Sequence, residues 1–87
     1  MMAKYRKRPV VVDAIQFRAG EQPHELAADV VAGRVLYAED GTMLVETLKG
    51  AMVARPGDWI IRGVKGELYP CKPDIFDATY EPAEGAA

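Results

Sequence analysis

The residue types able to bind or transform a ligand gather in one stretch, from Pro56 to Asp77. It holds the only Trp of the chain, Trp59, and the only Cys, Cys71, together with Asp58, Arg62, Lys65, Glu67, Tyr69 and Lys72. Aromatic faces beside guanidinium or ammonium groups are what a nucleotide requires, because rings stack a base while cations meet phosphates. Trp59, Arg62, Lys65, Tyr69 and Lys72 are therefore the candidate ligand-binding residues. Asp58 joins them as a carboxylate on the Pro56-Gly57 corner, and Arg6 and Arg8 as basic neighbours from the start of the chain. Each candidate has a structural alternative. A Trp commonly anchors a small core, and Tyr5, Tyr37, Phe76 and Tyr80 share that ambiguity. An Asp after Pro-Gly caps its own turn without any ligand. Solvated cations also protect strand edges from aggregation.

Catalytic chemistry has weaker signals. One His, His24, and one Cys fall short of any zinc pattern. Cys71, between Pro70 and Lys72, is a conceivable thiolate nucleophile, yet no general base stands near it in sequence. Glu67 and Asp58 can be paired as acid and base, but nothing in their spacing demands it. No Gly-rich phosphate loop of the Walker or Rossmann type is present. No catalytic residue, metal or cofactor is expected.

A chain of 87 residues is expected to be one domain, 1–87, with a small core and a frayed tail at 82–87. The formal charge of −2 conceals an asymmetry. Lys4, Arg6, Lys7 and Arg8 give the first nine residues +4, and the remainder carries −6. That acidic body repels a polyanion, so nucleic acid is an unfavoured partner. A single Cys excludes an internal disulfide framework, and no apolar run approaches the ~18 residues of a membrane span. A cytoplasmic protein without a membrane partner is the expectation.

The elements that must position the candidates are mostly strands. Residues 8–17 are rich in β-branched types and read as a strand covered on most of both faces, with Asp13 at an edge or paired to a cation. Pro23, as a first helical residue, and Gly33 bracket a helix over 24–32, whose Leu26, Val30, Ala27 and Val31 suggest an apolar stripe. Short runs follow at 34–38, 43–48, 52–54, 58–62 and 67–71, punctuated by Asp40-Gly41, Lys49-Gly50 and Lys65-Gly66. Asp-Gly signals a two-residue hairpin, and the Lys-Gly pairs suit positive φ. Pro56-Gly57 adds a corner, Pro70 and Pro73 confine the last strand to an edge, and 72–77 suggests one helical turn. The expected fold is α+β: a curved antiparallel β-meander or small barrel with one packed helix.

The run from Pro56 through Asp58-Trp59-Ile60-Ile61-Arg62 and Tyr69-Pro70-Cys71-Lys72-Pro73 to Tyr80 resembles a small protein family encoded widely by tailed phages and their prophages. The opening Lys4 to Val10 and the stretch Thr47-Leu48-Lys49-Gly50 share the resemblance, which covers about half the chain. It implies no catalytic residues. It does imply a niche, since small accessory phage proteins often inhibit or sequester components of host defence. The favoured expectation is a non-enzymatic binder in the infected bacterial cell that withholds a nucleotide-derived immune signal. An interaction protein for a host or phage partner is the first alternative, and a small hydrolase of such signals the second. Enclosing a nucleotide is easier between subunits than within one small chain, so a homo-oligomer is expected.

Overall fold

The structure is a computed structural model and describes residues 2–4 and 10–83. Its elements are β1 (Asp13–Gln16), a 3-10 turn (His24–Leu26) running into α1 (Ala27–Val31), β2 (Val35–Tyr37), β3 (Met43–Thr47), β4 (Gly50–Ala54), β5 (Trp59–Arg62), β6 (Leu68–Cys71) and α2 (Pro73–Thr79). The fold is α+β and every strand pairing is antiparallel, as the sequence predicts. Among the described residues the strands divide into two sheets, β1-β5-β6 and β2-β3-β4, and no barrel closes.

The Pro56-Gly57 corner divides the sheets. Gly57 adopts φ +99°, which a side chain would resist. Its N–H donates to the Phe17 carbonyl at 2.7 Å, and the Phe17 N–H donates to the Asp58 carbonyl at 2.8 Å. These bonds clasp the corner to the end of β1. The chain therefore leaves β4 and runs β5 along β1, pairing Gln16 with Trp59 through to Asp13 with Arg62. β6 then adds at the sheet edge, where the missing N–H of Pro70 is tolerated.

Two hairpins share one design. Ala38 N–H bonds to Thr42 O and Gly41 N–H to Ala38 O, so β2 and β3 are joined by a three-residue loop, not the expected two. Between β5 and β6, Gly63 N–H bonds to Glu67 O and Gly66 N–H to Gly63 O. Gly66 has φ +82°, the left-handed residue such a loop needs after its type I turn. The β3–β4 loop is tighter, with Thr47 paired directly to Gly50 around Leu48-Lys49.

Strand alternation fixes the layers. Ile15, Ile60 and Leu68 share one face of the first sheet, and Val35, Met43, Val45 and Ala54 share one face of the second. With Phe17 and Leu26 these form the core between the sheets, all buried except Ile15, which packs against it partly exposed. The opposite face of the first sheet carries Trp59, Ile61 and Tyr69 and is covered by α2. The opposite face of the second sheet presents Leu36, Leu44 and Val53, all exposed.

Three sequence expectations are corrected here. The first strand is regular only from Asp13, and residues 8 and 9 of the expected span lie outside the described residues. The 24–32 helix is a 3-10 turn plus five α residues, with Pro23 extended (ψ 133°) ahead of it. Its buried positions are Leu26 and Asp29, whereas Ala27, Val30 and Val31 are exposed, so of the expected apolar stripe only Leu26 packs. A second helix, α2, extends the predicted turn to Thr79, with Pro73 in its first turn.

Candidate functional site

Of the eight candidate residues, Arg6 and Arg8 lie outside the described residues. The other six all belong to the first sheet or the segments adjoining it, but they do not converge on one cavity.

Trp59 and Tyr69 stand on the same face of paired strands, as the hairpin reading requires. Both rings meet α2. Phe76 stacks on Trp59 with centroids 4.1 Å apart and planes 6° from parallel, and Tyr80 stacks on Phe76 at 5.1 Å. The Tyr80 and Tyr69 hydroxyls are 3.3 Å apart. One flank of Trp59 is thus occupied by the protein's own Phe76. Burial, and then the hydroxyl contact, push the Tyr69 phenol up to about 12.

Asp58 is 4% exposed and does what a corner carboxylate does. Oδ2 accepts from the Arg55 backbone N–H at 2.9 Å and from Lys72 Nζ at 3.3 Å. Arg62 projects from the opposite sheet face toward α1. Its Nη2 donates to Asp29 Oδ2 at 2.6 Å and its Nη1 to Asp29 Oδ1 at 3.3 Å, while Arg34 Nε donates to the same Oδ1 at 3.0 Å. The Asp29 carboxylate is 1% exposed, and the Arg62 hydrogen bond, foremost, holds it below the usual carboxylate range despite its burial. Arg62 and Lys72 are therefore engaged in ion pairs within the fold. Lys65 sits exposed at the β5–β6 tip.

The other chemistry is quiet. The Cys71 thiol is pushed up by burial, with Asp58 and Asp74 adding to the effect, so its thiolate is disfavoured. Glu67 folds back over Gly63 and accepts from the Lys65 backbone N–H at 3.3 Å, at the far end of the hairpin from Asp58. Five residues of strand separate these two carboxylates, roughly 16 Å, too far to share one substrate atom as acid and base. His24 is exposed beside Glu25. Among the described residues no three of His, Cys, Asp or Glu come together to hold a metal, and no helix is long and apolar enough to cross a membrane.

Two cavities stand out among the described residues. A pocket of about 430 Å³ lies beside β1, between Asp13, Glu25 and Arg62, over Ile15, Ile60 and Leu68. The larger, about 870 Å³, is a groove where the two sheets meet. Thr47, Leu48, Lys49 and Met52 form its wall on the β3–β4 side; Val64, Glu67, Tyr69, Tyr80 and Glu81 form the other, and Val10 and Val12 contribute. Among the described candidates, Tyr69 alone lines it. Lys49 and Tyr80 are its other groups suited to an anionic, flat ligand. A sequence signal for this site exists in the repeat of apolar-Lys-Gly at two hairpin tips, Leu48-Lys49-Gly50 and Val64-Lys65-Gly66. Compared with known proteins, the chain matches no family model, no curated protein and no solved structure.

Proposed function

We propose that this protein is a non-enzymatic binder that captures a small nucleotide-derived ligand in the groove between its two sheets. The observation that carries the reading is the groove itself. Its 870 Å³ lies within the range of small-molecule sites, and two phenol rings and the Lys49 ammonium border it. A base stacks against Tyr80 or Tyr69, and phosphate meets Lys49, with Lys65 at the neighbouring tip. Trp59, Arg62, Asp58 and Lys72 act as the frame that holds the hairpin and α2. Their contacts with Phe76, with Asp29 and with each other support that role. With the resemblance to tailed-phage proteins, the proposed role is to withhold a host immune signal from its receptor.

Differential scanning fluorimetry against cyclic nucleotides and ADP-ribose derivatives tests this. Ligand at a hundredfold excess over Kd stabilises by about 2.7 kcal/mol, a clear rise in melting temperature for a domain of this size. Tyr80→Ala and Lys49→Glu are expected to remove the rise. No shift with any such ligand at millimolar concentration refutes the reading. A second reading, an adaptor for a protein partner, draws support from the exposed row Leu36, Leu44 and Val53. One stoichiometric protein recovered on tagged wild type and lost on Leu44→Asp would favour it.

A further inference from the structure

The groove is open to solvent, and its rim carries the most exposed large apolar side chains of the hairpins. Leu48 is 79% exposed at the β3–β4 tip and Val64 73% at the β5–β6 tip, with Met52 and Val10 about half exposed beside them. A pocket that holds a small molecule buries most of its surface, which an open groove on an 87-residue chain cannot do alone. The charges on the two walls differ in sign. The β3–β4 wall bears Lys49, and the facing wall, made by the β5–β6 loop and the residues after α2, bears Glu67 and Glu81, which outnumber Lys65 at its tip.

We infer that this face is the contact surface between two copies of the chain, related by a two-fold axis running along the groove. That operator lays each β3–β4 wall on the partner's opposite wall. Lys49 of one copy then meets the acids Glu67 and Glu81 of the other, twice over, and Leu48 seats against Val64. A two-fold axis across the groove would instead set Lys49 against Lys49, so the charge pattern selects the first arrangement. The groove becomes an enclosed chamber with tyrosines from both copies around it. The exposed row on the second sheet is the competing apolar face. Its side chains, with Leu36 54%, Val53 52% and Leu44 38% exposed, are less exposed than Leu48 and Val64 at the two tips.

The inference goes beyond the ligand reading and is tested without any nucleotide. Sedimentation velocity of the purified chain at tens of micromolar is expected to give twice the monomer mass. Leu48→Asp and Val64→Asp, both at exposed tips outside the core, should sediment as monomers with unchanged far-UV circular dichroism. Lys49→Glu should weaken association about tenfold or more, and adding Glu81→Lys should restore it. Leu44→Asp is expected to remain dimeric. A chain that stays monomeric at 100 micromolar overturns the inference. So does a dimer that survives both tip variants, or one that Leu44→Asp alone dissociates. Loss of nucleotide binding with the dimer intact would sink only the ligand reading.

Discussion

Asp29 is the residue on which the greatest local electrostatic demand falls. A carboxylate with 1% of its side chain exposed is tolerated only because Arg62 grips both oxygens and Arg34 a second time one of them. The three groups tie α1 to β5 and to the start of β2. Replacing Asp29 with Asn keeps the shape but strips the charge, leaving two guanidiniums against a weaker acceptor. Because Arg34 is half exposed and screened, the expected loss is about 2 kcal/mol at neutral pH. The pH dependence has a definite sign. Asp29 titrates below its unfolded value near 3.9, so its contribution is complete above that value and declines as pH falls through the depressed native one. Melting curves of wild type and Asp29→Asn should therefore lie well apart at pH 7 and converge below pH 4. A gap that persists unchanged at pH 3 would contradict the assignment. Sequence pattern alone does not reveal this residue, because an Asp between apolar neighbours reads as the wet side of a helix and its principal partner is 33 positions away. Asp58 is the opposite case. Its cap is local, three residues from the N–H it accepts, and Pro-Gly announces the corner.

At the scale of elements, α2 depends on an aromatic layer more than on its own length. It has seven residues, too few to persist alone, and none of them is fully buried. Phe76, stacked on Trp59 and under Tyr80, is what holds it to the first sheet. Phe76→Ala is expected to cost about 2–3 kcal/mol and to wet one side of the only indole, shifting its emission to the red. If the emission maximum stays where it is, the stack is not what shields Trp59. Hairpins belong to this scale too. Gly66 has open space where a Cβ would go, so Gly66→Ala pays only for its left-handed backbone, about 1 kcal/mol. Thermal denaturation should register a fall of about 4–8 °C. The strands and their turns are legible from sequence because each is specified within ten residues by glycine placement and alternation. The division into two sheets is not. It depends on the Phe17–Asp58 backbone clasp, a pairing across 41 positions that no local pattern encodes. The two Lys-Gly tips that flank the groove are visible in sequence, but their meeting is not, since its two walls come from hairpins of different sheets.

For the whole molecule, the decisive fact is that both sheets share one core. Phe17, Ile60 and Leu68 from the first sheet side pack with Val35, Met43, Val45 and Ala54 from the second, and Leu26 joins them from the helical segment. Among the described residues, neither three-stranded sheet has another large apolar face covered apart from the one beneath α2. Separated, each would expose its inner face and lose the burial that offsets chain entropy. Unfolding is therefore expected to be a single cooperative transition, with α2 and the two sheets melting together. Val45→Ala tests this, because Val45 is fully buried in the second sheet while the fluorescent Trp59 is on the far face of the first. Removing two buried methyl groups costs about 2 kcal/mol. Urea unfolding followed by Trp59 emission and by far-UV circular dichroism should then show one midpoint, lowered equally in both signals. A variant whose dichroism falls early while the indole signal keeps its wild-type midpoint would mean that the sheets are separate folding units. The shared core would then be a docking surface between them, and the groove at their junction would open and close with that docking.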